Sequence, residues 1–136
     1  MKKYEILEHK ADLKIRFFGR TKEELFESAM LGMFEAANYE PATDKKQLTT
    51  KIKISSLDLP SLLVDFLSEV LYLAETKKEV YQKVKFKKFS KNIIEAELIG
   101  KKLKRMGVNI KAATYHQLDV LQKKGGNWEA TIVFDI

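Results

Sequence analysis

A chain of 136 residues with 45% hydrophobic content has the size of one domain, residues 1–136, and enough apolar side chain for a single core. With zero cysteines and two histidines it excludes a disulfide framework, a thiolate nucleophile, a cysteine-based zinc site and a His-rich metal centre, so any chemistry falls to carboxylates, Lys, Tyr or His. The net charge is +6, no run approaches the roughly 18 to 20 apolar residues of a membrane span, and the start Met1-Lys-Lys-Tyr-Glu-Ile-Leu-Glu lacks the apolar stretch of a secretory signal, so a cytoplasmic protein without membrane association is expected.

In chain order, residues 4 to 8 read as a short strand and residues 13 to 18, closed by Gly19, as an alternating one, with His9-Lys-Ala-Asp12 as the loop between them. Thr21 followed by Glu24 is a capping-box signature. Leu25, Phe26, Ala29, Met30, Met33, Phe34 and Ala37 then recur at helical spacing, which predicts an amphipathic helix near residues 22 to 38. A polar loop with Pro41 covers residues 38 to 47. Leu48, Thr50, Ile52 and Ile54 alternate as a strand, before Asp58 and Pro60 announce a second helix over residues 59 to 76. Its buried stripe is Leu62, Leu63, Phe66, Leu67, Val70, Leu71 and Ala74. Strands follow near 80 to 88 and 93 to 99, joined by the basic connection Lys101-Lys-Leu-Lys-Arg-Met-Gly107 to a final hairpin. Short turns between strands imply largely antiparallel pairing, so the fold class is α+β, two helices packed with antiparallel strands in a single domain ending in a β-hairpin.

The hairpin register follows from spacing. Ile110, Ala112, Thr114, His116, Leu118 and Val120 share one strand face, Trp128, Ala130, Ile132 and Phe134 another, and Lys123-Lys-Gly-Gly-Asn127 supplies turn residues between them. Pairing Gln122 with Trp128 sets Val120 opposite Ala130, Leu118 opposite Ile132 and His116 opposite Phe134, and a slip by one residue would spoil the match. Trp128 is placed against the core at the mouth of the turn. In this register Asp135 lies beside Tyr115 and the terminal carboxylate of Ile136 is level with Thr114, an oxygen cluster suited to a hard cation. His116 would then be a core histidine, while Lys111 and Tyr115 share the opposite face with Asp135.

Charge is concentrated between residues 77 and 111, where twelve Lys or Arg face three Glu. This stretch suits an anionic partner such as RNA, with Phe86 and Phe89 as stacking surfaces, and equally suits the solvated face of an amphipathic or edge strand. The six glycines form neither a phosphate-cradling loop nor a dinucleotide fingerprint, and no serine sits in a nucleophile elbow. Asp12, in a loop between strands, either aims at a ligand or bonds its own backbone. Asp65 and Glu69, one helical turn apart, either share a site or form an exposed acidic helix edge.

Four segments together resemble the archease family across essentially the whole chain: His9-Lys-Ala-Asp12, Asp58-Leu-Pro-Ser-Leu-Leu-Val-Asp-Phe-Leu-Ser-Glu69, Lys111-Ala-Ala-Thr-Tyr-His116 and Val133-Phe-Asp-Ile136. Two positions depart from the pattern, Lys10 where threonine is usual and Lys14 where glycine is frequent. The resemblance implies an accessory protein, not a stand-alone enzyme, that promotes GTP-dependent guanylylation and turnover of the RtcB-type RNA ligase in transfer RNA splicing and RNA repair. It also implies a divalent metal, typically calcium, on Asp12, Asp135 and an oxygen of Ile136, with His9, Lys111, Tyr115 and His116 as surrounding candidates. Two other classes stand beside it: a basic RNA-binding module or chaperone-like modulator of an RNA-modifying enzyme, and a small metal-dependent hydrolase.

Overall fold

A computed structural model describes residues 2–9 and 11–136. The elements run β1 (Tyr4–His9), β2 (Asp12–Gly19), α1 (Lys22–Ala36), β3 (Glu40–Pro41), β4 (Leu48–Ser55), α2 (Leu59–Lys77), β5 (Glu79–Phe89), β6 (Ile93–Arg105), β7 (Ala112–Ala113), β8 (Asp119–Gln122) and β9 (Trp128–Asp135). This is the α+β arrangement expected, with both helices where capping and periodicity put them. Thr21 Oγ1 accepts from the Glu24 amide at 3.0 Å to start α1. Asp58 accepts from the Ser61 amide at 2.9 Å, with Pro60 in the first turn, to start α2, which ends on Lys78 in the left-handed region at φ 55°. The Ser61 amide holds the Asp58 carboxyl below the usual carboxylate range.

The strands form two antiparallel sheets. One has the order β1-β2-β9-β7, with β8 also pairing β9; the other has the order β3-β6-β4, with β5 on the far side of β6. Helix α1 lies against β2 and β5, and α2 against β4, β5 and β7, so the helices bridge the two sheets. A single core results, in which Leu13, Ile15 and Phe17 from β2 meet Phe26, Met30 and Met33 from α1 and Leu63, Phe66 and Leu67 from α2. Each such side chain contributes about 1.5 to 3 kcal/mol by leaving water, and Met30, Met33 and Phe34 are buried packing residues, as their helical spacing predicts. A buried polar cluster sits within it: Glu79 accepts from Tyr81 Oη at 2.7 Å and from Thr50 Oγ1 at 3.3 Å. Burial, and then the Glu79 bond, push the Tyr81 phenol well above its ordinary range.

Three expectations change here, and a fourth, the loop position of Asp12, changes at the candidate site. Residues 101 to 105 are not a connection but the end of the long strand β6, where β3, set in the expected polar loop, pairs with it. Arg105 and Lys104 there bind Glu40 at 2.6 and 3.6 Å. Phe86 and Phe89 are not stacking surfaces: they pack against the core, edge to face at 5.3 Å, with Phe89 also 5.0 Å from Phe26. The third change is in the final hairpin and shapes the candidate site.

Candidate functional site

The hairpin begins in the predicted register, with Gln122 opposite Trp128 and Val120 opposite Ala130. It does not continue so. Carried on, that register would seat His116 opposite Phe134, but Ala113 stands there, three residues out of step, and Ala112 faces Asp135. Residues 114 to 118 leave the ladder as a turn closed by the Leu118 amide on Tyr115 O at 3.2 Å, with Gln117 at φ 54°. The reason lies in the core: Phe134 is fully buried, and its strand partner must fit the same closed layer. A methyl group fits, whereas an imidazole buried there would need hydrogen-bond partners that an apolar layer lacks. His116 is accordingly exposed, not a core histidine.

The looped-out turn is pinned at both ends. Thr114 donates to Val133 O twice, from its amide at 3.1 Å and from Oγ1 at 2.7 Å. Tyr115, expected beside Asp135, reaches instead to α2, where its hydroxyl donates to Asp65 at 2.8 Å while Ser56 Oγ donates to the other carboxylate oxygen at 2.5 Å. The Asp65 bond raises the Tyr115 phenol above its ordinary range. Asp65 is thus half-buried and shared between two donors, a role that neither reading of the pair Asp65 and Glu69 contained. No local spacing signals it, because Tyr115 is 50 positions away.

Asp135 acquires a different neighbour. Strand β9 is central in its sheet, and along its other side it pairs with β2 over eight positions, from Gly19 opposite Trp128 to Asp12 opposite Asp135. Asp12 is therefore on a strand and not in the loop, and the two carboxylates are direct cross-strand partners on the same exposed face. The Lys111 amide donates to Asp135 O at 2.8 Å. His9, exposed, pairs with Leu13 one strand beyond Asp12. The structure thus brings together Asp12, Asp135 and Ile136, leaves His9 and His116 exposed, and sends Tyr115 to α2; Ala112 takes the place opposite Asp135 expected for Tyr115, so Lys111 falls on the other strand face and lines a concavity with Ser68, Tyr72 and Glu75 of α2 instead of sharing Asp135's face. Lys10 lies outside the described residues.

The donor chemistry here is all oxygen, two carboxylates side by side with Ile136 adjoining, which fits a hard cation better than a thiolate or imidazole-seeking one. Among the described residues no three His, Asp or Glu side chains converge to make a closed cage. A cation on this pair would keep open positions for water or for phosphate oxygens.

The model of the Archease protein family (MTH1598/TM1083) matches residues 4–136. Protein archease of Methanosarcina mazei is 41% identical, the match covering 99% of this chain and 97% of that protein, and protein archease of Pyrococcus furiosus is 34% identical over the full length of both. The solution structure of Methanobacterium thermoautotrophicum protein 1598 superposes with a TM-score of 0.71 at 27% identity, covering 100% of both chains. The crystal structure of a Thermotoga maritima archease, described as a possible chaperone, has the same fold, with a TM-score of 0.70 at 22% identity, covering 97% of this chain and 96% of that one. Fold, terminal motifs and full-length similarity agree, and the chain belongs to the archease family.

Proposed function

We propose that this protein is a cytoplasmic accessory activator of an RtcB-type RNA ligase, promoting guanylylation of the ligase and its repeated turnover in transfer RNA splicing and RNA repair. The observation that carries the reading is the pairing of Asp12 with Asp135. These are the two carboxylates that the family resemblance singles out, and they come from distant parts of the chain to stand opposite each other as exposed residues at the ends of paired strands. Two like charges set side by side cost stability. Such an arrangement is a feature of sites that serve a ligand more than the fold.

Asp12, Asp135 and an oxygen of Ile136 would hold the divalent cation, calcium by preference, which when bound supplies positive charge that orients phosphate oxygens and offsets their charge. The chain contributes a rigid mount: β9 is hydrogen-bonded on both sides, so Asp135 is fixed by its neighbours, and Thr114 locks the adjacent turn to Val133. The ligase does the covalent chemistry, and this protein inserts its carboxylate-bearing end into the cleft.

The deciding experiment is guanylylation of a cognate ligase by GTP with and without this protein. Stimulation by the parent and none by Asp12→Asn or Asp135→Asn is expected. A parent protein that leaves the rate of guanylylation unchanged would overturn the assignment, and active carboxamide variants would overturn the role of the site.

A further inference from the structure

The outer face of the four-stranded sheet has an ordered arrangement of charge that the activation site does not use. Across the strands, Lys51 of β4, Glu97 of β6 and Lys85 of β5 form one row, and Lys53, Glu95 and Lys88 the next. Lys83 extends the β5 column, and Lys87, displaced by the bulge after Phe86, binds Glu97 at 3.2 Å. Each glutamate of the central strand is therefore flanked by lysines on both sides. Six lysines to two glutamates remain on this face, around a shallow open concavity of about 500 Å³ lined by Lys51, Lys53, Lys87, Glu95 and Glu97.

The composition decides the class of partner. Protein interfaces are enriched in aromatic side chains, Met and Arg and depleted in Lys and Glu, the opposite of these rows. Single-stranded nucleic acid is gripped by stacking bases on aromatic rings, and the aromatic residues of β5, Tyr81, Phe86 and Phe89, are turned into the core. What the face offers is two columns of ammonium groups, about 6.7 Å apart along a strand and about 9.6 Å apart across the intervening β6. Lysines are compact point charges that neutralise phosphates without reading bases. A flat sheet carries no helix or ribbon to enter the major groove of B-form DNA, but it can lie across the wide, shallow minor groove of an A-form duplex.

We propose that this face is a docking surface for the phosphate backbone of double-stranded RNA, bound without sequence selectivity. The inference stands apart from the activator reading, since it involves neither the carboxylate pair nor the ligase, and it is tested on the protein alone.

The probe is a fluorescently labelled RNA duplex, titrated by anisotropy over a salt series. If four phosphates are neutralised, affinity should fall roughly a hundredfold between about 50 and about 200 mM salt. Combining K51Q, K53Q, K83Q and K85Q should weaken binding at least about tenfold at the lower salt and flatten the salt slope by about 3 to 4. K51Q with K53Q alone should give an intermediate loss. A matched variant carrying K2Q, K3Q, K123Q and K124Q, just before β1 and in the β8–β9 turn of the other sheet, removes the same charge and should keep the parent's affinity. Ligase guanylylation without RNA should be equally stimulated by the parent and the four-lysine sheet variant, which separates failure here from failure of the activator reading. Equal weakening by the two four-lysine variants, duplex DNA bound as tightly as duplex RNA, or tighter capture of polyglutamate than of RNA would each overturn the proposal, the last in favour of an acidic protein partner.

Discussion

If Asp12 and Asp135 repel each other in the metal-free protein, the change Asp12→Asn, which keeps shape and removes charge, should stabilise the fold. Directly opposed residues of an antiparallel pair have Cβ atoms about 4.5 to 5.5 Å apart. Two unit charges at about 5 Å repel by about 0.8 kcal/mol in bulk water, and by more as the protein beneath them lowers the effective dielectric. Both side chains are exposed, so a gain of about 0.5 to 1 kcal/mol is expected at low salt, or about 2 to 4 °C in Tm for a chain of this size. Screening with about 1 M salt, where the Debye length is about 3 Å, should erase most of the difference. Calcium should reverse the order. At a concentration about a hundred times its Kd, an ion held by both carboxylates stabilises the parent by about 2.7 kcal/mol and leaves a variant lacking one ligand nearly unchanged. Thermal denaturation of parent, Asp12→Asn and Asp135→Asn, in chelator and in calcium, reads all of this. Variants less stable than the parent in chelator would mean that the carboxylates support the fold, and an equal calcium shift in parent and variants would place the ion elsewhere.

Tyr115→Phe removes the hydroxyl from Asp65 and should cost about 0.5 to 1 kcal/mol, because the bond is partly exposed, while amide exchange accelerates across residues 114 to 118 and not in the core; unchanged exchange there would show that Thr114 alone holds the turn. Tyr81 has a folded-state pKa raised above its unfolded value near 10, so its contribution is complete below about pH 10 and is lost as pH rises further, and Tyr81→Phe should flatten the alkaline limb of a stability profile. An identical limb in the variant would assign it to other groups. Trp128 is half-buried, with Lys22 Nζ 6.0 Å from its ring centroid, so Trp128→Ala should cost roughly 2 kcal/mol, below the roughly 3 to 5 kcal/mol of a fully enclosed ring. A denaturation midpoint equal to the parent's would make that ring a surface feature.

What the sequence determined by itself is what local forces decide. Thr21 and Asp58 cap their helices because the side-chain oxygen needs only an amide three residues on, and the leucine stripe of α2 is fixed by the helical repeat whatever surrounds it. The start of the last hairpin was legible for the same reason, since the turn residues set the first pairs of the ladder. The family motifs likewise marked Asp12 and Asp135 before any geometry did. Only the tertiary structure decided that these two stand face to face, because strand order between the ends of a chain is a nonlocal choice settled by packing β2 and β9 against one core. It also decided the three-residue slip that expels His116, since alternation along residues 110 to 120 treats Thr114 and His116 as acceptable inward positions, and only the closed layer around Phe134 rejects them. The bond between Tyr115 and Asp65 follows from that slip, for a hydroxyl finds a carboxylate on α2 only once the turn has left the ladder.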